Sequence, residues 1–539
     1  MYLGALSTLK GAIIDSEISR NLVEKSFTCK MHQQMWMFLV HILLSNAAFA
    51  GIPLWLDKDP FNIWQHRLGY HNLKQLSVTE ETIDRASYNY GQNTFRVLKF
   101  FHKVLRGENI RLIVIGGSNS AGGGISDHRQ LYHQLFLYWW NNLILPFTGS
   151  KLTIKNLSLG GTGSDFFSLC LQNYLMETKE PDIVLIELSV NDYGYLYGDA
   201  AQPMEQLTRR VMSFSSEPLV VYVALVDLIE KVKWWKSILN PRCHNLEDIG
   251  QHEIARYYNI TVLSWRDIVC QIDSKKSKRR IDINPGMINA DHIHIGVKSH
   301  AQIAMMLTRY FQKELKQVIC LSWNSAMKTA ESIDNIPPLF VNFFNQTLIS
   351  KSLCWSLIST NWKMPDERQS LNVSIPIRKG FHEITPQSIC AKMTRSDADR
   401  SDSFGGWQSR KEGSFIEFSF TAPKIARKTD KWSVGLVLRN LQNGQVKISL
   451  DENESTTLII TGKSYGRILL QTRIYFLRRR ITSGKYKVKI ETEGQKDFEV
   501  LLSGMVLVPA DMKNIKGYKP ANTLQKVWSH EDYKALVLH

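Results

Sequence analysis

The chain has 539 residues, 44% hydrophobic and 22% charged, a composition that fits a globular protein of two to four domains and excludes a mainly disordered or collagen-like chain. The net charge of +16 is a mild bias over this length, compatible with nucleic acid, acidic glycans or an anionic membrane surface as partners. No apolar run approaches the roughly 20 residues of a membrane-spanning helix, which excludes a polytopic membrane protein.

The first 50 residues predict a leader followed by a secretory signal peptide. Two lysines precede a short apolar core at residues 36–44, and residues 48–50 (Ala-Phe-Ala) form a small-x-small cleavage site. The first 30 residues do not resemble a signal, so we expect translation to start at Met31 or Met35, with Met31 preferred. Cleavage after Ala50 exports the chain. An uncleaved anchor of type II topology and a buried apolar helix are the alternatives.

Cysteines and sequons agree with a secreted chain. An even number of cysteines, six, follows the predicted cleavage site and allows disulfide bonds: Cys170, Cys243, Cys270, Cys320, Cys354 and Cys390. Their spacing leaves the pairing open, and no C-x-x-C pattern supports a zinc site. Five glycosylation sequons begin at Asn156, Asn259, Asn345, Asn372 and Asn453. We expect Asn156 to be buried and to carry no glycan.

Residues 51–107 predict a helical lead-in, which ends on an amphipathic helix at residues 95–105. Buried strands and helices then alternate over residues 108–318. The strands are predicted at residues 111–115, 152–156, 183–188, 219–225 and 261–264, and the helices at residues 127–145, 164–177 and 299–315. This alternation predicts an α/β domain, with a parallel sheet covered by helices on both faces.

The pattern of apolar and polar residues changes near residue 320. Residues 319–400 show no clear periodicity and predict a loop-rich connector. Apolar residues then recur at every second position, which predicts short half-buried strands over residues 401–510. Such strands are typical of an antiparallel β-sandwich, here an accessory domain, and residues 511–539 form a C-terminal tail.

A glycine-rich turn at residues 116–122 (Gly-Gly-Ser-Asn-Ser-Ala-Gly) follows the first predicted strand of the α/β domain. It places Ser118 at the carboxyl end of that strand, where ligands bind in open α/β sheets. A phosphate-binding loop is the competing interpretation. That loop is not supported, because no Lys-Ser/Thr pair follows and the glycines do not match the dinucleotide fingerprint.

Three more motifs follow in the same domain. They span residues 156–164, 187–192 and 291–296. The first two lie at carboxyl ends of strands and contain Gly161 and Asn191. The last contains Asp291 and His294, whose spacing lets a carboxylate orient an imidazole across one turn, as in a nucleophile–base–orienter arrangement.

Together these motifs resemble the four blocks of the SGNH/GDSL hydrolase superfamily, whose signature residues are Ser, Gly, Asn and His. The first block usually reads Gly-Asp-Ser and here reads Gly-Gly-Ser, ending at Ser118. The second block's glycine falls on Gly161, with Gly160 as the alternative register. In the third block Ser189 stands where Gly is usual, and Asn191 is retained.

The fourth block, Asp-x-x-His, is matched by Asp291 and His294. The resemblance covers about residues 108–315. It implies a three-layer α/β/α flavodoxin-like fold for the α/β domain and a serine esterase activity that needs no metal or organic cofactor.

The family's residue roles carry over position by position. The resemblance implies that Ser118 is the nucleophile, that His294 is its general base, and that Asp291 orients the imidazole. It also implies an oxyanion hole formed by the backbone N–H groups of Ser118 and Gly161 and the side-chain amide of Asn191.

Purely structural roles, or other residues in the same role, are alternatives for several of these assignments. Ser118 and Gly161 also suit ordinary turns, and Asn191 suits a cap. His292 and, more remotely, His300 compete with His294 for the role of base, and Ser120 is a weaker alternative nucleophile.

The basic run at residues 274–280 predicts a solvated loop, and residues 478–480 an exposed strand end. No basic helix is interleaved with aromatic residues, so nucleic acid is not predicted as a partner. We expect an acyl ester as substrate, for example O-acetyl on a polysaccharide. A lipase or phospholipase, an O-acyltransferase and a catalytically silent glycan-binding protein are the alternatives. Membrane association is expected only if the apolar segment near residues 36–50 stays as an anchor.

Overall fold

The structure is a computed structural model of the chain. It describes residues 54–91, 94–175, 180–192, 202–225, 246–273, 278–281, 285–290, 294–320, 336–337, 352–358, 369–384, 405–425, 431–451, 453–462, 472–512 and 518. The predicted leader and signal peptide lie outside the described residues, as do Asp291 and His292. Among the helices described, none combines the length and the apolar character needed to cross a membrane.

The N-terminal half is built on a six-stranded sheet. Its strands are β1 (Ser87–Tyr88), β2 (Ile110–Gly116), β3 (Leu152–Asn156), β4 (Ile183–Glu187), β5 (Leu219–Ala224) and β6 (Thr261–Ser264). The strand order is β1-β6-β5-β4-β2-β3; β1 is antiparallel to β6, and the other five strands are parallel. The parallel strands therefore have the flavodoxin-like order, and the order reverses between β2 and β4.

Helices cover both faces of this sheet. They are α1 (Phe61–Trp64), α2 (Glu80–Arg85), α3 (Phe95–Leu105), α4 (Ser118–Ala121), α5 (Tyr132–Thr148), α6 (Ser164–Leu175), α7 (Gln202–Met212), α8 (Leu246–Tyr257), α9 (Trp265–Val269) and α10 (Val297–Cys320). Short 3₁₀ turns occupy Leu54–Asp57 and His128–Gln130.

The side chains of β2 alternate between two cores. Leu112 and Val114 pack in a core with apolar residues of α3, α5 and α10, whereas Ile113 and Ile115 pack in a second core with residues of α6, α7 and α8. A strand buried on both faces reads as a continuous apolar run, which is why the sequence indicated it. The predicted three-layer α/β/α fold is confirmed.

The helix predicted at residues 127–145 begins and ends later in the structure, at Tyr132–Thr148. It begins at Tyr132, because Asp127 instead caps the preceding 3₁₀ turn by accepting a hydrogen bond from the backbone N–H of Arg129 at 3.0 Å. It then continues through Pro146 and ends before Gly149, whose φ of 80° is the left-handed conformation that commonly ends helices. The last helix of the domain likewise extends beyond its predicted bounds, 299–315, to Val297–Cys320.

A hairpin and a larger antiparallel sheet complete the fold. The hairpin consists of β7 (Cys270–Asp273) and β8 (Lys278–Ile281), so the end of the basic run predicted to be a loop lies in a strand. The larger sheet comprises β9 (Leu353–Ser356), β10 (Val373–Lys379), β11 (His382–Ile384), β12 (Gly406–Ser409), β13 (Phe415–Ala422), β14 (Trp432–Leu450), β15 (Asn453–Gly462), β16 (Thr472–Ile481) and β17 (Gly484–Val508).

The two longest strands organise this C-terminal domain, because β14 pairs with β15, β16 and β17, while β17 also pairs with β9, β12 and β13. Every pairing is antiparallel, and the strands enclose an apolar core of their own. The predicted antiparallel β-sandwich is confirmed. Residues 319–400, predicted to be a connector, contribute β9, β10 and β11 to it.

The two domains are joined along α6, which packs against β9, β16 and β17. A disulfide bond links Cys170 on α6 to Cys354 on β9, and both residues are buried. Side chains of the sandwich, including Val437 and Ile474, belong to the same apolar core as the outer helices of the α/β domain. The interface is therefore a continuous core and not a flexible linkage.

Candidate active site

Three turns meet at the carboxyl edge of the parallel sheet. Ser118 follows β2, the turn at Gly160 and Gly161 follows β3, and Asn191 follows β4. Because β3, β2 and β4 are neighbours in the sheet, these turns lie side by side. They sit at the point where the strand order reverses, the usual position of a ligand crevice in open α/β sheets.

The candidate residues are more exposed to solvent than the residues that follow them in the chain. Ser118, Gly161, Asn191 and His294 are each half-buried, while the residue that follows each of them in the chain is buried. A residue at the floor of a crevice has this pattern, because its neighbours hold the turn in place while it reaches solvent.

The Ser118 turn and Asn191 are packed against each other. The backbone N–H of Gly117 donates to the carbonyl of Glu187 at 3.1 Å, which ties the turn to the end of β4. A Cβ atom on Gly117 would lie 1.7 Å from Asn191 Oδ1 and 3.4 Å from Asn191 Nδ2. The Asn191 side chain thus fills the space of the missing side chain, and its amide oxygen lies nearer to that space than its amide nitrogen.

Asp192 holds the Asn191 turn to the neighbouring helix. Asp192 Oδ1 accepts a hydrogen bond from the backbone N–H of Ser164 at 2.7 Å, where α6 begins. Burial raises the pKa of Asp192 to about 7. This carboxylate therefore joins the third motif to the second.

The Gly160–Gly161 turn is built for a tight bend. Gly161 has a φ of 65°, a conformation that glycine adopts without steric cost. Within the described part of the chain, the backbone N–H groups of Ser118 and Gly161 donate no hydrogen bond. Both amides are therefore free to donate to the oxygen of a bound molecule.

The loop carrying His294 is fastened to the Ser118 turn by two asparagines. Asn119 Oδ1 accepts from the backbone N–H of Ile295 at 3.0 Å. Asn289 donates its own N–H to the carbonyl of His294 at 2.9 Å and its side-chain amide to the carbonyl of Gly124. These bonds place His294 in the loop beside Ser118. Ser118 Oγ makes no hydrogen bond to another described residue.

Comparison with known proteins gives a likeness of fold. No protein-family model matches the chain, and no curated protein matches it in sequence. Among solved structures, a two-domain esterase active on acetylated mannans is 20% identical, with a TM-score of 0.53 over 79% of this chain and 99% of that one.

The chain shares the overall fold of this two-domain esterase. Two other solved structures match a smaller share of the chain. The family 3 carbohydrate esterase of Clostridium thermocellum is 12% identical, with a TM-score of 0.28 over 39% of this chain and 100% of its own. TesA is 17% identical, with a TM-score of 0.28 over 38% and 99%.

The structure places two of the competing residues, Ser120 and His300, in the interior. Ser120 is fully buried, and its hydroxyl contacts Tyr132 Oη and Glu187 Oε2, each at 2.8 Å. His300 is also fully buried and stacks on Tyr132. Its Nδ1 accepts from the backbone N–H of Tyr132, and burial lowers its pKa to about 3. Ser120 and His300 therefore have structural roles in the interior of the domain.

Sequence reasoning missed the supporting role of Asn119, Glu187 and Asn289. Asn119 and Glu187 lie inside two of the motifs, but one chain read by itself does not show which turn each side chain will reach. In the part of the chain that the structure describes, no group of three or more His, Cys, Asp or Glu side chains could hold a metal ion. Asn156, expected to be buried, is half-buried, and its amide donates to the carbonyl of Ser120 at 2.8 Å.

Proposed function

We propose that the chain is a serine esterase of SGNH type that hydrolyses acyl esters. The observation that carries this proposal is the meeting of Ser118, Gly161 and Asn191 at three neighbouring strand ends. A hydroxyl lies there beside two amide N–H groups that donate to no described residue. An acyl carbonyl needs such a set, because one group attacks its carbon while the others stabilise its oxygen.

Acylation begins when Ser118 Oγ forms a bond to the ester carbonyl carbon and His294 accepts the hydroxyl proton. The carbonyl oxygen becomes an oxyanion, which accepts hydrogen bonds from the N–H groups of Ser118 and Gly161 and from Asn191 Nδ2. Each such donor is worth about 2.7–4 kcal/mol in the transition state. The bond to the alcohol oxygen then breaks, and His294 returns the proton to the leaving alcohol.

Deacylation repeats these steps with water. Water attacks the acyl carbon on Ser118 and gives a proton to His294, and collapse of the second tetrahedral intermediate releases the carboxylic acid. The proton returns to Ser118 Oγ. Asp291 keeps His294 in the tautomer that can accept a proton from Ser118. No step needs a metal ion or an organic cofactor.

We propose O-acetyl groups on a polysaccharide as the substrate. Support comes from the two-domain structure of similar fold, which is an esterase active on acetylated mannans. That structure also has two domains and matches over 79% of this chain, so the likeness extends beyond the α/β domain.

We also propose that the enzyme is secreted, through the signal peptide predicted before residue 51. The buried disulfide bond between Cys170 and Cys354 agrees with an oxidising compartment. Of the sequon asparagines, Asn259 and Asn372 are exposed and accessible to glycosylation.

A fluorescent phosphonate probe tests the nucleophile. We expect the purified wild-type chain to be labelled, and Ser118→Ala and His294→Ala to lose labelling and about 10⁴-fold or more of the turnover of p-nitrophenyl acetate. Ser120→Ala is the matched control: its serine lies two residues away and is buried, so this variant should still be labelled. Wild-type protein that stays unlabelled beside a labelled known esterase would refute the proposal.

An alcohol acceptor separates hydrolase from transferase. Acyl transfer to a sugar hydroxyl would release p-nitrophenol faster when the acceptor is added and would leave an acylated sugar. We expect release of acetate at the same rate with and without the acceptor.

A further inference from the structure

Two residues of the sandwich reach the glycine turn of the catalytic domain. Arg439 on β14 and Thr472 on β16 are paired across the sheet, and both are fully buried. Arg439 Nη2 donates to the carbonyl of Gly160 at 2.6 Å, and the backbone N–H of Thr472 donates to the carbonyl of Gly161 at 2.7 Å. The hydroxyls of Thr472 and Thr162 are 2.8 Å apart.

The Arg439 contact bears directly on one oxyanion donor. The carbonyl of Gly160 and the N–H of Gly161 belong to the same peptide unit, which is planar and trans, so the two groups point in opposite directions. Any group that fixes the carbonyl also fixes the direction of the N–H. A guanidinium is well suited to fix this carbonyl, because charge-assisted hydrogen bonds are shorter and stronger than neutral ones.

Within the turn, Thr162 makes two long hydrogen bonds: its backbone N–H donates to the carbonyl of Leu159 and its hydroxyl donates to the carbonyl of Gly160, each at 3.3 Å. Gly160, Gly161 and Gly163 carry no side chains, and glycine loses more conformational freedom on folding than any other residue. The bonds from Arg439 and Thr472 fall on successive peptide units of this turn. Together they restrain the peptide on each side of the Gly161 Cα atom.

We propose that Arg439 and Thr472 are positioning residues through which the sandwich aligns the Gly161 N–H in the oxyanion hole. This inference rests on the proposed esterase function and deepens it. The accessory domain then has a part in catalysis that is separate from any binding of polysaccharide. Neither residue touches the substrate; both act through the Gly160–Gly161 peptide.

Steady-state kinetics with p-nitrophenyl acetate on the full chain test this proposal. In Arg439→Met the turn loses its charged donor, and we expect kcat to fall by about 10²-fold while KM stays nearly unchanged, because the interaction is made only in the transition state. Arg439→Lys keeps a donor and should recover most of that loss. Thr472→Val removes only the hydroxyl contact and should lower kcat by about three- to tenfold.

Ser168→Ala is the matched interface control. Ser168 Oγ lies 2.8 Å from Tyr518 Oη, so this variant also loses a hydrogen bond between α6 and the C-terminal region, without touching the glycine turn. We expect it to lower the Tm but to keep kcat. If Arg439 only holds the two domains together, Arg439→Met would lower the Tm without lowering kcat, or Ser168→Ala would lower kcat as much as Arg439→Met does. Either result would overturn the proposal.

A crystal structure of Arg439→Met keeps the two proposals separable. We expect the Gly160–Gly161 peptide to rotate in that variant and to keep its wild-type orientation in Ser168→Ala. An unchanged peptide in Arg439→Met refutes the positioning role, whatever the activity. Wild-type protein without any turnover refutes the esterase proposal and leaves the peptide orientation to decide this one. If Arg439→Met does not fold, kcat and the peptide orientation are compared between Thr472→Val and Ser168→Ala.

Discussion

The carboxyl group of Glu187 is buried beside the turn that carries Ser118. Its Oε2 accepts a hydrogen bond from Ser120, whose hydroxyl also contacts Tyr132. Burial raises the pKa of Glu187 to about 8, because a charge is costly away from water. The group is therefore protonated in the folded protein at pH values where it is ionised in the unfolded chain.

This difference predicts a pH dependence of stability. Between about pH 5 and 8 the folded state holds a proton on Glu187 that the unfolded state has lost, so the free energy of unfolding falls as the pH rises. The slope for one such group reaches about 1.4 kcal/mol per pH unit. Glu187→Gln carries no titratable proton, and we expect urea denaturation of this variant to show a flatter profile over this window.

Asp192 is a second buried carboxyl group with which Glu187 can be compared, because burial raises the pKa of Asp192 to about 7. Asp192→Asn should flatten the same profile only up to about pH 7. If Glu187→Gln unfolds with the wild-type slope throughout, the carboxyl is ionised in the folded state and the assignment is wrong.

At the scale of secondary structure, α6 is the element on which both domains depend. It starts where Asp192 caps it and carries one half of the disulfide bond. The bond closes a sequence separation of 184 residues and is shielded from solvent on both sides.

Removal of this bond should destabilise the chain. Cys170→Ala combined with Cys354→Ala is expected to lower the free energy of unfolding by about 2–5 kcal/mol, because the unfolded chain gains freedom. Urea denaturation measures the loss. Cys320→Ser is the control, since Cys320 is an exposed free thiol and its substitution should leave stability unchanged. A double variant as stable as wild type would show that the apolar interface alone holds α6 to β9.

Elements with strong local patterns could be predicted, and those shaped by the interface could not. The buried parallel strands and α3 have clear apolar periods, and the sequence indicates them within a residue or two. The helix α7 was missed: its apolar stripe, Met204, Leu207 and Val211, is narrow, and the polar residues Gln202, Glu205 and Gln206 are buried as well. Its surroundings include segments distant in the chain: Arg210 Nη2 donates to Ser352 Oγ at 3.1 Å.

The candidate site divides in the same way. The sequence placed Ser118, Gly161 and Asn191 at carboxyl ends of strands, because parallel strands share one carboxyl edge, whereas the order of these strands came from the structure. The contacts of Arg439 and Thr472 with the glycine turn join residues about 280 to 310 positions apart. No local pattern encodes such a distance. The same limit left the pairing of Cys170 with Cys354 open.

At the scale of the whole molecule, the α/β domain and the sandwich share one apolar core. Val437, Ile474 and Val506 of the sandwich lie in the cluster that also contains Phe166 and Ile186 of the α/β domain. Polar contacts accompany it, for example from the Asn173 amide to the carbonyl of Cys354 at 2.7 Å. An interface of this kind buries surface that an isolated domain would expose.

Deletion of the sandwich should therefore cost the fold as well as any polysaccharide binding. We expect a chain ending at residue 320 to be insoluble or to unfold without a cooperative transition, because α6 and α7 would present apolar surface to water. Solubility after expression, and circular dichroism during heating, measure this beside the full chain. Co-expression of residues 321–539 as a second chain should restore soluble protein, since the covering surface returns. A soluble α/β domain with a sharp melting transition would show instead that the shared core contributes little to stability, and that the two domains fold independently.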